Sequence, residues 1–221
     1  MADSKKVLEI IRAIGLKMEA EKEYLTELDQ PIGDSDHGIN MARGFAAVEG
    51  KLPDLEGKDI GTILKTVGMT LVSTVGGASG PLYGSAYMKA GMALAGKEEM
   101  DMDDFLSMMD TAVQAVEQRG KATVEEATML DAMVPSLKAM KDAATEGKSV
   151  REALEAGVRA AYNTGSYVDV DGVTFMAGAE HTKDLVATKG RASYVGERGL
   201  GHQDPGATSY SYMLEVIAGL V

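Results

Sequence analysis

Apolar residues along this chain recur mostly every three or four positions, the repeat of a helix with one buried face. Val7, Leu8, Ile11, Ile14 and Met18 predict a first helix over roughly 4–28. A second is expected over about 38–50, stopped by Gly50 and Pro53. Ile60, Ile63, Leu64, Val67 and Leu71 share one face of a third, over about 59–75. The stretch VGGASGPLYGSAY interrupts the pattern from Val75, and a fourth helix follows over about 82–95. Asp101 opens a fifth, striped by Phe105, Leu106, Met109, Ala112, Val113 and Val116 and followed by Gly120. Thr123 with Glu126, and Ser149 with Glu152, have capping-box spacing; they predict a sixth helix to about 142 and a seventh to about 164. The last helix begins near Pro205 and carries Met213, Val216, Ile217 and Leu220.

About eight amphipathic helices and no strand make the expected fold all-α, as a single domain over residues 1–221. From Gly165 to Gly206 the chain is rich in Gly, Asp and Thr, with only a short helix expected near 177–187. A loop of about forty residues is unusual in a compact domain, and such loops usually carry function.

Composition narrows the classes. At 221 residues and 45% hydrophobic, the chain can bury a real core. It has no cysteine, which excludes a disulfide scaffold and a thiolate metal site. A formal net charge of −12 argues against a nucleic-acid binder. No apolar run approaches the roughly 18 residues of a membrane span, and no signal-peptide pattern opens the chain, so a soluble, cytoplasmic protein is expected. The 15 methionines read as core filler.

The densest chemistry lies in LDQPIGDSDHGIN, Leu28 to Asn40. Asp29, Asp34 and Asp36 repel one another in an empty site and become favourable around a hard divalent cation. Pro31 and Gly33 break any helix, so the three carboxylates can converge from a turn. The apolar segment after Gly38 puts this turn at a helix N-terminus, which suits phosphate. On spacing alone, a capped turn and a cation site remain alternatives. An EF-hand loop from Asp34 fails, because Gly38 stands where an oxygen ligand is needed. A strand-borne Asp nucleophile fails too, because LTELDQPIG is not a strand.

GGASGPLYG (Gly76–Gly84) is either a phosphate cradle or a tight interhelical connection. It is not a Walker loop. Gly91–Lys97 has that spacing, but Glu98 replaces the Ser or Thr. Gly147-Lys148-Ser149 lacks the first glycine, Asp142 standing there. In GRASYVGERGLGHQDPGA (Gly190–Ala207), Arg191 and Arg198 are candidate anion contacts, and His202 and Asp204 flank the last helix start. His181 has no partner pattern and reads as surface.

Taken together and in order, IGDSDHGIN, GGASGPLYGS, RGKA, TML and GRASYVGERGLGHQDPGATS resemble the nucleotide-binding L subunit (DhaL) of bacterial phosphoenolpyruvate-dependent dihydroxyacetone kinases. The resemblance runs over nearly the whole chain. It implies a barrel of eight antiparallel amphipathic helices with a nucleotide site at one end. It implies two Mg²⁺ ions on Asp29, Asp34 and Asp36. Contacts to ADP or ATP would fall on His37, Gly38, Ile39 and Asn40, on Ala78 and Ser79, on Gly120 and Met129, and on Arg191, Asp204, Pro205 and Gly206. No catalytic residue is assigned; the metal-bound nucleotide carries the phosphoryl group, and Arg191 is a candidate charge stabiliser.

The activity implied is phosphoenolpyruvate–glycerone phosphotransfer. A phosphohistidine on an M subunit phosphorylates bound ADP, and the γ-phosphoryl passes to dihydroxyacetone on a K subunit. The resemblance is compatible with a homodimer. Two other readings stay open: a nucleotide-state sensor acting on a transcription regulator, and the L subunit of a kinase for another short ketose. One segment departs from the family pattern. Between RGKA and TML the usual Gly-Asp-Lys is replaced by Glu125-Glu126-Ala127, beside the expected adenine pocket.

Overall fold

The computed structural model describes residues 2–162, 167–170, 173–176 and 178–221, with side chains over 2–162 and 178–221. Among the described residues, nine α-helices account for well over half of the chain. They are α1 (Ser4–Ala20), α2 (Lys22–Asp29), α3 (His37–Glu49), α4 (Ile60–Thr74), α5 (Ser79–Ala93), α6 (Met102–Gly120), α7 (Leu130–Thr145), α8 (Val150–Tyr162) and α9 (Pro205–Leu220). Going round from α1, contacts run through α3, α4, α5, α6, α7, α8 and α9 and back to α1, a closed cycle of eight helices. Short α2 lies against α3 and α9. The apolar stripes meet in one cluster that draws on all nine helices, with Phe45, Ile60, Leu71, Leu130 and Met140 among its fully covered side chains. Met18, Met41 and Met140 are wholly buried, whereas Met69 and Met92 face solvent.

The pattern located the helices and misplaced some of their ends. The expected 4–28 helix is two, broken at Glu21 (φ −96°, ψ 7°). Helix α5 starts at Ser79 rather than near 82, because Pro81 sits in its first turn, where no N–H is needed. Ser149 and Glu152 form the capping box: Glu152 N–H donates to Ser149 Oγ at 3.3 Å, and Ser149 N–H donates to Glu152 Oε2 at 2.9 Å. Thr123 and Glu126 make half of theirs, at 2.8 Å, and no helix follows. Left-handed Glu125 (φ 65°) and Ala127 (φ 54°) stop it, and α7 waits until Leu130.

Strands are present, contrary to expectation. Ala2–Asp3 (β1) pairs antiparallel with Glu99–Met100 (β2), and Tyr167–Val170 (β3) with Val173–Met176 (β4). The second pair was legible: β-branched and aromatic residues flank Asp171-Gly172. Near the expected 177–187 helix there is a single 3₁₀ turn, His181–Asp184.

Helices α4 and α5 pack backbone to backbone. A methyl group at Gly61 would stand 2.6 Å from the Gly91 carbonyl oxygen, and one at Gly68 2.7 Å from that of Gly84. Gly91, which matched a Walker spacing, is therefore a packing glycine.

Candidate functional site

Asp29 closes α2 and Asp36 precedes α3, so the turn between these helices sets the acid cluster. The turn is folded around one carboxylate. Asp29 Oδ2 accepts the N–H groups of Asp36 (2.9 Å) and His37 (3.2 Å), which fixes Asp29 although it is buried. Ser35 takes φ 60° to complete the turn. Asp29, Asp34 and Asp36 then bring carboxylate oxygens within 4.8 Å of one another. Arg191 Nη2 lies 2.8 Å from Asp34 Oδ2, so this loop cation meets the cluster from the far side of the chain.

The cluster borders a cavity of about 380 Å³. Four helices begin at its wall: α3 at His37, α5 at Ser79, α7 at Leu130 and α9 at Pro205. Helix α6 ends there, at Arg119 and Gly120. Alternate helices of the cycle thus point their N-termini at one space. Among these four, only α9 is capped by the side chain of the residue just before it, Asp204 Oδ2 accepting Ala207 N–H at 2.6 Å; the first N–H of α3 goes to Asp29 and that of α7 to the Thr128 hydroxyl. Each helix start leaves up to four N–H groups without intrahelical partners and carries about half a positive charge. Such convergence suits an anion with several oxygens.

Behind the cluster, His37 is buried between two hydroxyls, with Ser79 Oγ 3.1 Å from Nδ1 and Ser209 Oγ 3.0 Å from Nε2. Desolvation holds its pKa down to about 4, against a smaller opposing effect of Asp29, so the ring is neutral and donates from one nitrogen while accepting at the other. Tyr83 donates to the Gly206 carbonyl at 3.0 Å and sits 2.7 Å from Ser209 Oγ. This network ties the starts of α3, α5 and α9 together. Burial, with backbone hydrogen bonds opposing it and the carboxylates of Asp131 and Asp29 nearby, lifts Asp204 to about 7. Burial lifts Asp131 to about 6. The cavity also has apolar lining, from Pro81, Leu82, Val116, Met129 and Leu130.

Most of the residues singled out in the sequence meet here. Asp29, Asp34, Asp36, His37, Asn40, Ala78, Ser79, Gly120, Met129, Arg191, Asp204, Pro205 and Gly206 all line the cavity. Gly38 and Ile39 are not among its lining residues. Gly38 faces α2, and Ile39 is half exposed. Arg198 is exposed and donates to the Val195 carbonyl at 3.4 Å; His202 is exposed as well. His181 is not a surface residue: its side chain is 11% exposed, and Nε2 donates to Glu125 Oε1 at 3.0 Å. Sequence reasoning missed Tyr83, Asp131, Lys189 and Ser209. Only Ser209 had a local signal, one turn past the Asp204-Pro205 helix start.

Comparison with known proteins fits this geometry. The model for the DAK2 domain matches residues 31–167 and 173–219. The chain belongs to the DAK2 domain family. Within that family it is 43% identical over 198 residues to the Escherichia coli K12 protein described as "PEP-dependent dihydroxyacetone kinase, ADP-binding subunit DhaL", covering 90% of this chain and 88% of that one. It is 40% identical over 205 residues to the ADP-binding subunit DhaL of the PTS-dependent dihydroxyacetone kinase of Lactococcus lactis, covering 93% and 91%. The DAK2 fold is also seen in the crystal structure of the dihydroxyacetone kinase from C. freundii in complex with AMP-PNP and Mg²⁺ (TM-score 0.66, 19% identity). That match covers 99% of this chain and 34% of the longer one. Among the described residues, no helix is long and apolar enough to cross a membrane.

Proposed function

We propose that this chain is the ADP-binding subunit of a phosphoenolpyruvate-dependent dihydroxyacetone kinase. In this reading it keeps its nucleotide as a carrier between a phosphohistidine-bearing M subunit and dihydroxyacetone on a K subunit. One observation carries the reading: three carboxylates and four helix N-termini share a single cavity.

The donor set fits a hard cation, because it offers carboxylate oxygens and nothing softer. Asp29, Asp34 and Asp36 would hold Mg²⁺, two ions in this reading, which when bound supply neutralising charge at the phosphates. The chain's own groups do the rest. Asp29 fixes the turn through two N–H groups. His37 holds Ser79 and Ser209 in place, and the starts of α3, α5 and α9 offer N–H donors to phosphate oxygens. Arg191 adds a charge-assisted donor. Leu82, Val116 and Met129 give the base an apolar bed beside Gly120. Phosphoryl transfer needs positioning and electrostatic stabilisation more than a protein nucleophile, which suits a site built of carboxylates and helix starts.

The test is dihydroxyacetone phosphate formation with a K subunit under two phosphate donors. Phosphoenolpyruvate with the phosphotransferase proteins, M included, is expected to drive it well, and free ATP poorly. Equal rates with ATP alone would remove the carrier role. ADP and Mg²⁺ are expected to co-purify with the chain in native mass spectrometry.

A further inference from the structure

The turn leading into α7 has an unusual backbone. Glu125 and Ala127 both lie in the left-handed region, with Glu126 between them. Residues with a Cβ adopt it rarely, and keep it where the surroundings over-determine it. Here the buried Asp131 carboxylate does so, accepting the N–H of Glu125 at 2.5 Å and of Thr128 at 2.8 Å.

The result is to aim two adjacent carboxylates at the loop before α9. Glu126 Oε1 accepts the Thr188 hydroxyl at 2.7 Å and lies 3.5 Å from Lys189 Nζ. Its Oε2 accepts Thr123 N–H, and its carbonyl accepts Thr188 N–H at 3.4 Å. Glu125 takes the His181 imidazole. Burial works against the charge on Glu126, but the Thr188 hydroxyl, the Thr123 N–H and Lys189 outweigh it and leave its pKa below the ordinary glutamate value.

Among the described residues, little else holds that loop. Between Lys183 and Ala192, Ala187 alone is buried. Yet Lys189, Gly190, Arg191 and Ala192 form one wall of the cavity, and Arg191 reaches Asp34. An ordinary exposed ion pair contributes little. The Glu126 side chain is 19% exposed and engages three partners, which is a different case.

We propose that Glu126 is a positioning residue for the bound nucleotide. It pins residues 188–191 to the cavity mouth, keeps Arg191 over the acid cluster, and slows release of a nucleoside diphosphate. The proposal rests on the ADP-binding reading above.

The test uses the full chain and the variants E126A, E126Q and T188V, each checked by circular dichroism. Trypsin cleavage after Lys189 and Arg191, followed by mass spectrometry without nucleotide, reads the pin itself. Release of mant-ADP in Mg²⁺, chased with excess ADP, reads its consequence. E126A is expected to raise both rates on the order of tenfold, as loss of a charge-assisted hydrogen bond implies. E126Q should fall between, since its amide oxygen still accepts one of the two donors. T188V leaves the turn intact and should reproduce part of the effect even where E126A folds poorly. Release within twofold of wild type in both E126A and T188V overturns the proposal, as does faster cleavage without faster release. A wild-type protein that holds no mant-ADP sinks the ADP reading and the proposal together, and the cleavage contrast tells that outcome apart.

Discussion

Gly38→Ala perturbs the site without touching a candidate ligand. A methyl at Gly38 would stand 2.6 Å from Thr26 Oγ1 and closer still to the Lys22 carbonyl oxygen of α2. Carbon and oxygen settle no nearer than about 3.3 Å, so α3 must retreat by roughly 1 Å. That motion acts on the two bonds that fold the acid turn, Asp36 N–H and His37 N–H to Asp29, now 2.9 and 3.2 Å. Both would pass the limit of a useful hydrogen bond. Overpacking costs about 1–3 kcal/mol. Each bond to a charged acceptor contributes a further ~1.5–3 kcal/mol. The sum, about 4–9 kcal/mol, is a large share of the ~5–15 kcal/mol that holds an ordinary domain folded. At about 2–4 °C per kcal/mol for a domain of this size, melting should fall by roughly 10 °C or more. The assay is thermal melting by circular dichroism, with and without Mg-ADP. The variant should also lose the upward shift that Mg-ADP gives wild type. The control is Gly15→Ala in α1, whose methyl would meet Phe45 Cβ at an ordinary 3.6 Å. It should stabilise by about 0.5–1 kcal/mol. A Gly38→Ala protein melting within about 2 °C of wild type, with its Mg-ADP shift intact, would refute the packing argument.

Asp34→Asn and Asp36→Asn should each abolish Mg²⁺-dependent ADP binding by calorimetry and keep the helical spectrum, because mutually repelling carboxylates do not hold the fold. Binding at wild-type affinity in EDTA would contradict the metal assignment. Arg191→Ala should weaken ADP retention by roughly tenfold, measured as dissociation rate, since it removes a charge-assisted donor. Asp131 gives a pH prediction. Its folded pKa is raised from 3.8 to about 6, so the native state holds the proton more tightly than the unfolded chain. Stability from this group is therefore greatest below about pH 4 and falls as pH rises to about 6, by roughly 3 kcal/mol. The lowered His37 has the opposite sign, adding stability between about 4 and 6.5. Urea denaturation of Asp131→Asn against wild type at pH 4 and pH 7 isolates the first effect. The variant should lose less stability between the two pH values, and an equal loss would count against the raised pKa.

The helices were legible because each buries one face, and burial writes a 3.6-residue period into the sequence. The acid cluster was legible because Asp29, Asp34 and Asp36 are local to one turn. What stayed hidden was non-local or conformational. Tyr83 and Ser209 meet across 126 positions, and no spacing announces that. The false helix start at Thr123 had the right cap residues, but the left-handed Glu125 and Ala127 are held by Asp131, a tertiary contact. His181 read as surface because its partner, Glu125, is 56 positions away.

The glycine contacts between α4 and α5 act as an index. Gly61 and Gly68 are seven residues apart, as are Gly84 and Gly91, so the helices mesh at two matched heights. Sliding either by a turn would drive side chains into backbone. The height of Ser79 at the cavity wall is thereby set from Gly91, about 18 Å down the helix. Substitutions at Gly61 or Gly91 are thus expected to shift ligand affinity from a distance. A mutational scan confined to the cavity would overlook positions that tune it, and a search for altered binders gains by including this seam.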